Sequence, residues 1–268
     1  MAPKLLVVGG GSMGSSLVGG VIGAGWASAA DLVVVDPDPT RRSQLSEAHP
    51  GLAVVEDARA DGADGAVDAV LAVKPDVAES VARSLGEQGI RRVLSIVAGL
   101  SAARLEAALG AGRVVVRSMP NAPSLVGCGV AAISGGSEAT SADLEWAEGI
   151  LGSVGTVVRL PERHLDAVTG VSGSGPAYVY LVAEAMIEGG VAVGLTREVS
   201  RQLVLGTVLG AARVMAETGD DPAELRAAVT SPGGTTAAAL RTLEFKAVRS
   251  AFIEAIAAAT ERSKQLGR

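Results

Sequence analysis

Residues 5–14 read LLVVGGGSMG, an apolar run that ends in four glycines within six residues. Glycine loses more backbone freedom on folding than any other residue, so such a cluster beside a buried strand needs a reason. A strand that turns at once into a helix, with a ligand approaching too closely for side chains, supplies one. The next hundred residues support a matching fold. LVVVD (32–36) is a second β-rich run bounded by PDP, and AVDAVLAVKP (66–75), RVLSIVAG (92–99) and RVVVRSMP (113–120) contain three more. Helix-sized segments lie between: 12–24, ESVARSLGEQG (79–89) and SAARLEAALG (101–110), where Ser101 suits an N-cap. Strands that are nearly all apolar, separated by helices, predict a parallel sheet covered on both faces. VAAIS (130–134) and VGTVVRL (154–160) extend it.

After residue 162 the strand signal fades. Pro176 opens a helix over 176–193 with Ser174 near its cap, and Thr196 caps another over 197–217. Asp221, Pro222 and Glu224 combine an Asx cap, a first-turn proline and a capping-box acid. Apolar residues at 240, 243, 247, 248, 251, 252, 255, 256 and 259 predict one last helix, about 25 residues long. The chain therefore reads as an α/β domain, residues 1–161, followed by an all-helical domain, residues 162–268.

Composition narrows the partners. A length of 268 residues with 48% apolar side chains can bury the cores of one or two domains. A net charge of −6 argues against nucleic acid, which needs a basic surface. Cys128 is the one cysteine, read as a small buried residue, so a reducing compartment is expected. MAPK runs straight into the first strand, which predicts no signal peptide. The uncharged stretches 118–137 and 167–183 hold Pro, Ser and Gly and do not resemble spanning helices. The expectation is a cytoplasmic protein with no membrane partner and no metal.

In this context Gly9, Gly11 and Gly14 form GxGxxG at a strand-to-helix turn. The first permits the tight turn, the second lets backbone approach a pyrophosphate, and the third lets helix and strand pack closely. Ser12 and Met13 complete the turn, and the helix N-terminus adds N–H donors and a favourable dipole. Asp36 ends the second strand 22 residues beyond Gly14, where an acid can bind ribose hydroxyls. These features predict a dinucleotide. Asp36 would repel a 2′-phosphate and favours NADH. Arg41 and Arg42 could bind that phosphate instead, or simply form a solvated first helical turn.

The second half carries GVSGSGPAY (170–178) and AVTSPGGTT (228–236). In the latter, glycines expose N–H groups and Thr235 and Thr236 add hydroxyls at a helix start, which suits a small carboxylate. A glycine turn with a threonine cap is the alternative.

AVKP (72–75), RSMPNAP (117–123), DAVTGVSGSGPAY (166–178) and LRAAVTSPGGTTAAALRTLE (225–244) together resemble the pyrroline-5-carboxylate reductase family, in order and along nearly the whole chain. The resemblance implies a Rossmann-type coenzyme domain followed by an all-α dimerisation domain, with NADP(H) or NAD(H) as coenzyme. It implies that Gly9 to Gly14, Ala72, Val73, Lys74, Pro75, Ala98, Gly99 and Asn121 line the coenzyme site. Ser231, Gly233, Gly234, Thr235 and Thr236 would hold the substrate carboxylate and ring. It further implies a homodimer with interleaved helical domains, often assembled into decamers. Members commonly favour NADPH, with a neutral polar residue where this chain has Asp36.

The residues are compatible with imine chemistry. Reducing a carbonyl usually needs a positioned acid. The four lysines are at 4, 74, 246 and 264, His49 sits in a surface-type turn, and His164 opens the helical domain. A cyclic imine can arrive protonated, so the protein needs mainly to position two molecules. Tyr178 is a further donor or an apolar helix contact. A hydroxyacid dehydrogenase would carry a catalytic lysine on a helix of the second domain, and no lysine lies between 74 and 246. A non-catalytic dinucleotide-binding dimer is the other rival.

Overall fold

The computed structural model describes residues 4–57 and 68–267. Residues 66 and 67 of the third expected strand, and the first three of MAPK, lie outside that range. Chain compactness separates two units, residues 1–174 with 258–268, and residues 175–257.

The first unit runs β1 (Leu5–Val8), α1 (Ser12–Gly23), β2 (Leu32–Val35), α2 (Pro39–Ala48), β3 (Ala53–Val55), β4 (Asp68–Leu71), α3 (Pro75–Glu87), β5 (Arg92–Ser95), α4 (Ala102–Leu109), β6 (Val114–Met119), β7 (Gly129–Gly135), α5 (Ser141–Leu151), β8 (Gly155–Arg159) and α6 (Leu165–Val168). The sheet order is β3-β2-β1-β4-β5-β6-β7-β8. Strands β1 to β6 are mutually parallel. Side chains alternate across a strand, so each face of β1 meets a different core. Leu5 and Val7 join Leu17, Val21 and Ile150 on one side; Leu6 and Val8 join Leu85, Val93 and Leu105 on the other. Each such leucine contributes about 1.5–3 kcal/mol by leaving water. This is the doubly wound architecture expected from the apolar runs.

Two features differ from the sequence reading. The short β3 adds an edge strand beside β2. Strand β7 runs antiparallel to β6, and β8 then runs parallel to β7. The reason is connection length. Nine residues (120–128) separate β6 from β7, while a parallel crossover needs about a dozen or more. The helix α5 provides that crossover between β7 and β8.

The boundary expected at 161/162 follows the end of the strands, since β8 finishes at Arg159. Compactness places the division later, after Ser174. Residues beyond β8 still belong to the sheet unit, and Leu165 of α6 is buried there. The C-terminal tail also belongs to that unit. Ser263 Oγ donates to Asp166 Oδ1 at 2.7 Å, and Arg104 Nη1 donates to the Gly267 carbonyl at 3.4 Å.

The second unit contains α7 (Gly175–Ala192), α8 (Arg197–Thr218), α9 (Pro222–Ala228), α10 (Thr235–Phe245) and the start of α11 (Val248–Leu266). Thr196 and Asp221 cap α8 and α9 as the sequence predicts, accepting from the N–H groups of Val199 and Ala223. Ser174 directly precedes α7, and its N–H closes a π-helical turn on the Thr169 carbonyl. The single long last helix is instead two. The chain breaks at Ala247, whose φ is +56°. A left-handed alanine costs about 1–2 kcal/mol, so local preference does not account for the break.

Candidate functional site

Parallel strands put their C-terminal ends on one edge. Gly9 follows β1, Asp36 follows β2, Ala72 to Pro75 follow β4, Ala98 and Gly99 follow β5, and Asn121 follows β6. The strand order reverses between β1 and β4, where such sheets open a crevice at their carboxyl edge. The predicted coenzyme residues of the first unit are therefore gathered on the edge that this topology opens.

The glycines have separate reasons. Gly9 has φ +109°, and a Cβ there would lie 2.4 Å from the Ala72 carbonyl oxygen. A Cβ on Gly14 would lie 1.9 Å from the Gly9 carbonyl oxygen, so α1 starts hard against the strand end. Gly11 meets nothing within 4 Å, and as the N-cap of α1 it offers no side-chain acceptor. The first turn of α1, with Ser12 exposed and Met13 half-buried, thus presents donors toward open space. This cradle fits a pyrophosphate. Gly10 was not singled out in the sequence reading, although the GGG triplet contains it. Its N–H donates to Asp36 Oδ2 at 2.8 Å, and a Cβ would press on Leu45 Cδ1 at 2.7 Å.

Other members are held in different ways. Lys74 is the N-cap of α3 with Pro75 in its first turn, and both are exposed. Val73 is half-buried and Ala98 exposed. Gly99 has φ +75°, and its hydrogen faces the Leu266 carbonyl oxygen; a Cβ would lie 3.3 Å from it. Asn121 uses both ends of its amide within the protein. Oδ1 accepts the Val130 N–H at 2.9 Å and Nδ2 donates to the Ser172 carbonyl at 3.1 Å. Cys128, expected to be buried, is exposed; it follows Gly127, which ends a helical turn with φ +72°. His164 lines an apolar hollow with Val130, Val158 and Val171.

In the second unit, Gly233 has φ +70° and Gly234 is the N-cap of α10 with no side-chain cap hydrogen bond. The Gly234 N–H donates to the Ser231 carbonyl at 3.0 Å, and a Cβ on Gly234 would meet Ser231 Oγ at 2.3 Å. Ser231 therefore folds over the glycine cap. Thr235 and Thr236 open the helix, the first exposed and the second half-buried. The arrangement suits a small anion at a helix start. Tyr178 stands edge-on to Phe252, with ring centroids 6.5 Å apart. The described residues hold no cluster of His, Cys, Asp and Glu placed for a metal ion.

Residues 162–266 match the family described as pyrroline-5-carboxylate reductase dimerisation, and residues 4–99 match NADP oxidoreductase coenzyme F420-dependent. The chain is 40% identical to a pyrroline-5-carboxylate reductase of Mycobacterium tuberculosis over 98% of this chain and 96% of that one. It is 40% identical to one from Synechocystis, covering 100% of both. The chain belongs to the pyrroline-5-carboxylate reductase family. The family's solved structures share its fold. The enzyme from Coxiella burnetii matches with a TM-score of 0.92 and 34% identity over 100% of both chains. The Plasmodium falciparum pyrroline carboxylate reductase, solved with NADP bound, matches with a TM-score of 0.86 and 32% identity over 99% of this chain and 98% of that one. The Rossmann-type first domain and all-α dimerisation domain expected from the sequence are those of the family.

Proposed function

We propose that this chain reduces the cyclic imine L-1-pyrroline-5-carboxylate to L-proline, using NADPH or NADH. Identity of 40% along the whole chain, with SPGGTT intact at a helix start, carries the reading. A bound nicotinamide supplies the hydride, and the protein's task is to bind and orient. Gly9, Gly11, Ser12, Met13 and Gly14 hold the pyrophosphate at the start of α1, and Asp36 borders the adenosine ribose. Ala72 to Pro75, Ala98, Gly99 and Asn121 border the rest of the coenzyme.

Ser231, Gly233, Gly234, Thr235 and Thr236 bind the substrate carboxylate and ring. The protein carries a net charge of −6, so an anionic substrate needs a local group of donors to enter. The N–H groups and hydroxyls of the first turn of α10 provide it. An imine nitrogen that arrives protonated already activates its carbon, and a site of glycine, serine and threonine then needs only to position it.

Assembly as a homodimer through 162–268, and onward to decamers, belongs to the same proposal. The exposed apolar faces of α7, α8 and α11 support the dimer. A cytoplasmic location is supported by the lone cysteine. No helix among the described residues is long and apolar enough to cross a membrane.

The test is oxidation of NADPH and of NADH with pyrroline-5-carboxylate, run in parallel. Turnover with this imine is expected. Oxidation of neither, together with rapid reduction of a keto acid, would refute the reading.

A further inference from the structure

The segment 36–42 holds two acids, Asp36 and Asp38, and two arginines, Arg41 and Arg42. The sequence alone leaves open which pair meets the adenosine ribose. Asp36 is only 2% exposed. Its Oδ2 accepts the Gly10 N–H at 2.8 Å and its Oδ1 accepts the Asp38 N–H at 2.9 Å. The carboxylate is thus fixed between the glycine turn and the approach to α2.

Asp38 acts on the helix itself. Its Oδ1 accepts the N–H groups of Thr40 at 2.9 Å and Arg41 at 3.4 Å. Those are the donors that a phosphate at the start of α2 would use. Arg42 is committed as well. Its Nη1 donates to the carbonyls of Asp36 at 3.0 Å and Pro37 at 2.9 Å, and its Nη2 lies 3.5 Å from Glu56. Arg41 alone faces solvent, and it lies 3.7 Å from the carboxylates of both Asp36 and Asp38. A 2′-phosphate here would meet a fixed negative charge, a helix start already capped and an arginine already paired. A free 2′-hydroxyl can instead donate to a carboxylate.

We infer that Asp36 and Asp38 together select NADH over NADPH, Asp36 by its fixed charge and Asp38 by occupying the α2 donors and Arg41. The inference rests on the dinucleotide reading of the glycine turn. It sets this chain apart from the Plasmodium falciparum relative, which was solved with NADP.

The test is equilibrium binding of NADH and of NADPH to the full chain without imine, followed by nucleotide fluorescence. NADH should bind at least about tenfold tighter, the order expected for one like-charge contact near a surface. Asp38→Gly, which removes the charge and the side-chain cap together and is still tolerated at an N-cap, should tighten NADPH several-fold and leave NADH within about twofold. Asp36→Ser should move the NADPH/NADH ratio further and weaken NADH. Because that change also removes the tie to Gly10, the Asp38→Gly result is decisive should Asp36→Ser fail to fold. Equal or tighter NADPH binding by the unaltered protein overturns the inference, as does an unchanged ratio in Asp38→Gly. Binding of neither nucleotide overturns it together with the reading beneath it. NADH-selective binding without imine reduction supports it and refutes the proposed reaction instead.

Discussion

Leu6, Leu71, Val93 and Leu105 of the sheet unit are wholly buried, whereas Tyr180, Leu209 and Ile253 of the helical unit are 64%, 63% and 64% exposed. Across residues 175–257 only Ser200 and Val204 are buried. The two regions draw on similar residue types, but the sheet unit closes two cores on itself and the helical unit leaves its apolar faces open. An apolar surface of that extent marks an interface. The comparison teaches that the first unit closes its cores within one chain, while the second presents the apolar face through which we propose that the chain self-associates.

The largest expected effect comes from charging the open faces. Leu209→Glu or Ile253→Glu should abolish the dimer and unfold the helical unit, since a buried unpaired charge is strongly unfavourable. Sedimentation should report a monomer and far-ultraviolet dichroism a loss of helix. Trp26 and Trp146 both lie in the sheet unit, so tryptophan emission should stay native. A stable, active monomer would break the comparison.

The next effect tests how closed the sheet unit is. Gly14→Ala places a Cβ 1.9 Å from the Gly9 carbonyl oxygen. Overpacking of this kind costs about 1–3 kcal/mol, and coenzyme binding should be lost with it. Gly11→Ala meets open space, so it should cost less than about 1 kcal/mol and weaken coenzyme binding alone. Denaturant unfolding and nucleotide titration of both variants separate the two roles. Equal destabilisation by the pair would refute this account of the turn.

Thr236→Val asks the same of the helical unit. A hydroxyl bonded to a charged ligand group contributes about 1.5–3 kcal/mol. Catalytic efficiency should fall roughly 10- to 150-fold with coenzyme affinity unchanged. Full activity would reduce Thr236 to part of a helix start.

The smallest effect is electrostatic. Burial opposes the charge on Asp143, but hydrogen bonds from Thr140 and Arg92 outweigh it and hold its carboxyl below the ordinary 3.8. A carboxyl lowered on folding contributes stability that is complete above the unfolded value and lost as pH falls through the folded one. Asp143→Asn should therefore destabilise the protein by about 1 kcal/mol at neutral pH, the scale of a helix cap. The difference should shrink as pH falls below 3.8. Denaturant melts at both pH values check this; a difference that persists in acid would remove the charge from the explanation.

The strands were legible because short unbroken apolar runs, buried on both faces of the sheet, leave a plain trace. The caps at Ser101, Thr196 and Asp221 were legible because their side chains do the bonding. What escaped has physical causes. Strand β3 is three residues long, too short for a pattern. The direction of β7 is set by connection length, which the apolar pattern does not record. The break at Ala247 carries neither glycine nor proline as a signal. Asp36 could be read as an acid at a strand end, but its anchors are the N–H groups of Gly10 and Asp38, and every residue except proline has one. The turn at Gly233, the helix start at Thr235 and their fitness for a small carboxylate were readable from SPGGTT, whereas the ring that bears the carboxylate came only from the family resemblance.

The C-terminal tail has a consequence for biosynthesis. Leu266 lies against Gly99, and Ser263 reaches back to Asp166. Domains emerging from the ribosome generally fold in the order they are made. The sheet of this protein can begin that way, with β1 joined by β4 as soon as residue 71 is free. The unit built around it cannot finish, because its last piece, residues 258–268, is translated after 175–257. A nascent chain stalled between residues 175 and 257 would expose the surface around Gly99 and Asp166 to chaperones, and release of the tail would hide it.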